Sequence, residues 1–158
     1  MRATATAVLA MCIASCATQA PRLKGPTVGV EHFSIDRPTD EPDRDAKMAE
    51  LAAEWLVGAL RNEGVDAYLV PMGGPPYGDV RISGAITELN YVGRDVFGVL
   101  LTIRDSTGRE LARVSAERSS HSITKAVRVT MSDDVIHNQE FRHAVFTMPA
   151  GIAAKPQP

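Results

Sequence analysis

Cysteine is almost missing from this chain of 158 residues: Cys12 and Cys16 are the two it has, both within the first sixteen positions. Residues 17–158 hold no thiol, which excludes a disulfide framework and a thiolate metal site from that part. Long apolar runs are missing too. Nothing of about eighteen residues follows position 20, so no transmembrane helix is expected there. There is no basic excess: 17 Lys and Arg stand against 19 Asp and Glu, a formal charge of −2. A nucleic-acid partner normally calls for a basic balance or face, and none is expected. Wholesale disorder is excluded as well, because 44% hydrophobic and 23% charged residues are ordinary for a packed protein. The length fits one domain.

Catalytic and metal-binding patterns are also lacking. Of His32, His121, His137 and His143, the one close pair is six apart, which sets the two rings on different faces of a helix. No metal and no cofactor are expected. Ser119-Ser120-His121-Ser122 sets hydroxyls beside an imidazole, yet neighbours on a strand point to opposite faces, so adjacency makes no triad. Gly73, Gly74 and Gly78 precede no helix and no Lys-Ser/Thr pair, so they read as a flexible loop rather than a phosphate cradle. Asp43, Asp45, Asp133 and Asp134 fit no calcium loop and read as helix-start charges. An enzyme is not expected.

What is present begins at the N-terminus. Met1-Arg2 is followed by a short apolar run, Ala3 to Ala14, then Ser15-Cys16. These are the proportions of an export signal, too short to span a bilayer. Ile13-Ala14-Ser15-Cys16 resembles the bacterial lipobox: an aliphatic residue, two small residues and a cysteine. The lipid-transfer step needs a thiol, and the signal peptidase needs small side chains before the cut. Cys12 fits less well, because bulky Met11 precedes it.

Residues 1–15 are therefore expected to be a lipoprotein signal peptide, and Cys16 the lipidated residue. Loss of Arg2 with the leader would bring the charge to −3. Two or three acyl chains would hold the anchor, since each buried methylene contributes about 0.8 kcal/mol. Ala17, rather than aspartate, follows Cys16, which points to the outer membrane and its periplasmic face. Residues 16–26 read as a lipidated tether, 27–148 as one domain and 149–158 as a flexible tail.

Within the domain, Thr27 to Phe33 reads as a strand and residues 34–45 as a solvated loop. Ala46 to Glu63 is the strongest helix, with Met48, Leu51, Ala52, Trp55, Ala59 and Leu60 in one apolar stripe. Asp43 or Asp45 would cap it, Gly64 would end it, and Trp55 on the stripe reads as core. Val65 to Val70 is a second strand and Pro71 to Gly78 a loop.

Asp79 to Val92 is a third, longer strand whose phase shifts after Glu88, the sign of a bulge or a strand end. Val96 to Arg104 and Arg109 to Arg118 are strands joined by a turn at Asp105-Ser106-Thr107-Gly108. The last strand is open to continuation through Ile123. A short helix is expected from Asp133 to about Phe146, with Ser132-Asp133-Asp134 at its start. The predicted fold is α+β in two layers: four or five mostly antiparallel strands, one strong amphipathic helix and a short C-terminal one.

The lipobox, strand, amphipathic helix ending in Gly, strand and long hairpin follow one another in order. The hairpin carries Gly84-Ala85-Ile86-Thr87 and runs from Thr102 to Leu111 around its turn. In this the chain resembles the small envelope lipoproteins of Gram-negative bacteria, over residues 13–118. Examples are the auxiliary lipoproteins of ABC-type transport, the LPS-assembly lipoprotein and the lipoproteins related to curli secretion. The resemblance implies a tethered domain that docks on an envelope protein partner or binds a lipid-like ligand. It carries no catalytic residues.

Overall fold

The computed structural model describes residues 25–71 and 78–147. The signal and lipobox positions, most of the tether, most of the 71–78 loop and the tail at 149–158 lie outside the described residues.

The chain enters the sheet through β1 (Thr27–Val30) and adds a two-residue strand, β2 (Ser34–Ile35). Helix α1 (Pro42–Asn62) crosses back to β3 (Asp66–Leu69), which lies parallel to β1. Three eleven-residue strands follow as a meander: β4 (Val80–Asn90), β5 (Asp95–Asp105) and β6 (Glu110–Ser120). The strand order is β3-β1-β4-β5-β6, and β2 continues beside β4 where β1 ends. The two long pairings are antiparallel, β4 with β5 and β5 with β6, and the short ones are parallel. The chain closes with α2 (Ile123–Val129), a wide π-type turn (Thr130–Val135) and α3 (Gln139–Phe146).

Helix α1 forms because its apolar residues recur at helical spacing and its ends are built for it. Pro42 occupies the first turn, Asp43 and Asp45 meet the positive end of the helix dipole, and Arg61 meets the negative end. Gly64 ends it at φ +83°, and the Val65 N–H returns to the Leu60 carbonyl at 3.0 Å. The Arg61 side chain donates to the Ala67 carbonyl at 2.7 Å and so ties the helix end to β3. Alternation does the same for the strands. Val80, Ile82 and Ile86 of β4 and Phe97, Val99, Leu101 and Ile103 of β5 turn to one face and are buried. They pack against Ala52, Leu56 and Leu60 of α1 and against Met131, Ile136 and Phe141 of the C-terminal helices in one core cluster.

Several expectations need correction. Among the described residues the sheet has six strands, not four or five, and there are three helices. The added strand, β2, is two residues inside a stretch whose prolines and charges read as loop. The stripe expected on α1 is buried at Met48, Ala52, Ala59 and Leu60, but the buried face extends to Ala49, Ala53, Leu56 and Val57, while Trp55 is not core: it is 37% exposed beneath the Arg128 guanidinium, 5.9 Å from the ring centre. Neither Asp43 nor Asp45 caps α1; the cap position is Glu41, and its side chain bonds nothing there.

The last strand stops at Ser120, and Ile123 begins α2 instead of continuing it. Its β-branched residues favour a strand locally, but burial of Ile123, Ala126 and Val127 decides for helix. Ser132-Asp133-Asp134 falls inside the wide turn, and α3 is capped instead by Asn138, whose Oδ1 accepts from the N–H groups of Glu140 and Phe141.

Candidate functional site

All the helices pack on one face of the sheet, leaving the other face as the broadest surface the fold offers. The alternation that buries Ile82 and Leu101 turns Arg81, Ser83 and Ala85 of β4 to this open face. Leu100, Thr102 and Arg104 of β5 and Arg113, Ser115 and Glu117 of β6 join them through the strand register. Apart from Leu100, these residues are small, hydroxylic or charged, as a solvated antiparallel face requires. Arg81 lies directly opposite Arg104, and the Arg104 Nη1 donates to the Ser83 hydroxyl at 3.1 Å. Arg113 reaches Glu110 at 3.0 Å. Such a face can make polar contacts with a macromolecule over a wide area.

The place where the chain enters this sheet is held firmly. The Thr27 N–H and hydroxyl donate to Asp79 Oδ2 at 2.9 and 3.1 Å, and the Asp79 N–H returns to the Thr27 carbonyl at 2.9 Å. The bonds lock the first residue of β1 to the residue just before β4.

A cleft of about 590 Å3 runs between the β2 side of the sheet and α1. Phe33, Ile35, Ala46 and Ala49 give it an apolar lining, and His32, Asp43, Lys47 and Glu50 bring polar groups to it. A groove of this size and character fits an apolar chain with a polar head.

Above the start of α1, Asp45 is buried and accepts three hydrogen bonds: the Thr39 N–H at 2.6 Å, the Thr39 hydroxyl at 2.8 Å and the Tyr91 hydroxyl at 2.7 Å. Burial pushes its pKa up. The bonds from Thr39 and Tyr91, helped by the nearby Arg44 charge, outweigh that and hold it below its ordinary value. Tyr91 is pushed up, first by burial and then by the Asp45 carboxylate. Arg44 stacks over the Tyr91 ring at 4.0 Å. The group fastens the loop before α1 to the end of β4. With its hydrogen bonds joining one loop to one strand end, it acts as a clasp.

Asp105 plays a comparable part in the β5–β6 hairpin, with its pKa lowered first by the Thr107 hydroxyl, a bond of 2.5 Å. The turn is the one its Asp and Gly spacing predicts. The irregularity of β4 is a bulge rather than a strand end, and it falls between Ile86 and Glu88, just before the position expected for it.

The residues that the sequence singles out for chemistry are not drawn together. His32, His121, His137 and His143 are all exposed. Among the described residues no three His, Cys, Asp or Glu side chains group as ligands of one ion. His137 leans on Asp133 of its own turn at 3.1 Å, and no hydrogen bond joins the His121 ring to Ser119, Ser120 or Ser122. Asp134 is bound by Arg118 through two bonds of 2.8 and 2.5 Å. Among the described residues no helix is long and apolar enough to cross a membrane. Ile13, Ala14, Ser15 and Cys16 lie outside the described residues. Sequence reasoning missed the clasp, because Asp45 and Tyr91 stand 46 positions apart and only the fold joins them.

No family model matches the sequence, and no curated protein does. Among solved structures the chain is similar to a point variant of the PelC dodecamer from Paraburkholderia phytofirmans, with a TM-score of 0.57 and 16% identity over 78% of this chain and 90% of that one. A PelC dodecamer from the same organism in another crystal form gives 0.53 and 19%, over 69% and 86%. Lipoprotein GNA1162 from Neisseria meningitidis aligns at 0.45 and 15%, over 61% and 81%. At these identities the PelC likeness shows a shared fold: a mixed, mainly antiparallel sheet with its helices on one side.

Proposed function

We propose that this chain is a lipoprotein anchored through Cys16 at the periplasmic face of the outer membrane. Its domain serves there as a non-catalytic docking or assembly accessory of an envelope transport or assembly complex. The observation that carries this reading is the two-layer fold itself. Among the described residues one sheet face, mostly polar or small in its side chains, is left for contact, and the chain enters the sheet at a strand locked in place by Thr27 and Asp79. The fold shared with PelC, a protein described as a dodecamer, supports an assembly role. The lipobox supports the anchor.

The test is crosslinking and affinity capture of the anchored protein in cells, with two variants. Cys16→Ala should release the protein from the membrane fraction. Thr102→Arg should leave it anchored but lose the captured envelope partner, because it plants a charged bulk in the middle of the open face. If wild type, Cys16→Ala and Thr102→Arg capture the same proteins, the reading fails.

The cleft beside α1 favours a second reading, a carrier of a lipid or small amphiphile. Native mass spectrometry of the purified protein should then show a bound acyl species that Ala49→Trp displaces. A protein that stays at its bare mass in the presence of added lipid rules the carrier out.

A further inference from the structure

Strand β6 ends the sheet, and it is a long end. Its eleven residues span roughly 36 Å, against a usual strand length of five or six residues. Among the described residues, no backbone or side-chain group hydrogen-bonds to the edge that β6 turns away from β5. A free edge of that length is a template for another strand, and proteins commonly blunt it with charge. β6 does carry charge, but in an ordered way: Arg113 and Glu117 stand two residues either side of Ser115 on the same open face, and both are exposed.

We infer that β6 pairs with β6 of a second copy of this chain, antiparallel, about a two-fold axis at Ser115. In that register Arg113 of each copy exchanges its single, solvent-exposed bond to Glu110 for Glu117 of the other copy, so two opposite-charge contacts flank the axis. Residues directly opposite in an antiparallel pair have Cβ atoms about 4.5–5.5 Å apart, close enough for these side chains to meet. Val114 then faces Ala116 on the other side of the sheet.

Alternative registers are worse. An axis at Arg113 or at Glu117 sets like charges face to face. An axis at Val114 would pair Glu110 with Arg118, but Arg118 is already held by Asp134 through two bonds, and Leu111 would face Glu117. The same charges that repel a copy in a slipped register attract it in this one. The contact is isologous and closes on itself as a pair, the commonest symmetry of soluble oligomers.

The experiment uses the full chain with Cys12→Ser and Cys16→Ser, so that an added cysteine is the sole thiol. Ser115→Cys places two thiols across the axis, where the Cα separation of about 4.5–5.5 Å lies inside the range a disulfide accepts. Lys47→Cys, on the exposed side of α1, is the control. Under mild oxidation Ser115→Cys should form a disulfide dimer at least about tenfold faster than the control. Adding Arg113→Glu should slow that dimer about tenfold, and adding Glu117→Arg to it should restore the rate. The proposal is overturned if Ser115→Cys crosslinks no faster than Lys47→Cys. It is equally overturned if Arg113→Glu leaves the rate unchanged, or if the charge-swapped double variant fails to recover it.

Discussion

Replacing Tyr91 with phenylalanine removes one oxygen and little else. The ring stays, and so does the Arg44 stack over it at 4.0 Å. What goes is a 2.7 Å hydrogen bond to the buried Asp45 carboxylate. A bond to a charged, buried acceptor contributes about 1.5–3 kcal/mol, and Asp45 keeps its two bonds from Thr39, so the expected loss at neutral pH is about 2 kcal/mol. For a domain of this size that lowers Tm by about 5–10 °C. Urea melts and calorimetry would measure it.

The loss should also depend on pH in a set direction. The folded pKa of Asp45 is depressed below its ordinary 3.8, so its contribution is full above the unfolded value and is lost as pH falls through the folded value. Tyr91→Phe weakens the depression. Wild type and variant should therefore differ by a constant amount from about pH 5 to 9, and the difference should shrink as pH falls below the ordinary 3.8 and through the depressed folded value of Asp45. Above about pH 10 the wild-type advantage should shrink again: the folded Tyr91 keeps its proton while the unfolded chain gives it up. A loss under about 0.5 kcal/mol at pH 7, or one that does not shrink as the pH is lowered until the Asp45 carboxylate takes up its proton, would refute the clasp as the source of stability.

Gly84→Ala should cost about 1–3 kcal/mol in equilibrium unfolding, because its Cβ would sit 2.7 Å from the Phe33 ring; Phe33→Leu in the same chain should recover part of that. Thr130→Val should be neutral or should stabilise by up to about 1 kcal/mol, since the Thr130 hydroxyl is buried with no hydrogen-bond partner among the described residues. A loss above about 1 kcal/mol in a chemical melt would show that the hydroxyl is satisfied. Asn138→Ala should cost about 1 kcal/mol by unbonding the first N–H groups of α3, and Asn138→Asp should keep most of it, as read by thermal melts of both variants.

These positions differ in how visible they are in sequence, and the difference is physical. The strands from Val80 to Ser120 could be read almost to the residue, because one buried face imposes alternation on every position. Asp105 and Gly108 mark their turn through bonds made within four residues. Gly64 ends α1 through the same kind of local geometry. Features made by distant partners leave no such mark. Helix α2 begins where the Ile123 N–H donates to Asp95 Oδ2 at 2.6 Å, a cap supplied by the first residue of β5, 28 positions earlier. Local propensity there reads strand, and a reader of the sequence has no reason to look to Asp95. Asp45 reads as a helix-start charge for the same reason, since Tyr91 and Thr39 turn it into a clasp only once β4 is in place.

The candidate surfaces follow the same division. The open face was implicit in the alternation, because every buried Ile82 implies an outward Arg81 or Ser83. Which edge of the sheet ends free was not, because it depends on strand order. β4 and β6 carry equally long polar-apolar alternations, yet β4 lies between β1 and β5 while β6 has one neighbour. The Arg113–Ser115–Glu117 arrangement means little on an interior strand, where its neighbours would be fixed by the fold. On a terminal strand it becomes a choice of partner. If the two-fold pairing holds, its axis stands at right angles to the sheet. Both copies then turn the same sheet face the same way, and if the proposed Cys16 anchor holds, a bilayer lying along the sheet is met equally by both chains. Self-pairing and anchoring would thus constrain each other: Ser115 crosslinking should rise, not fall, when the chains are confined to a membrane through Cys16.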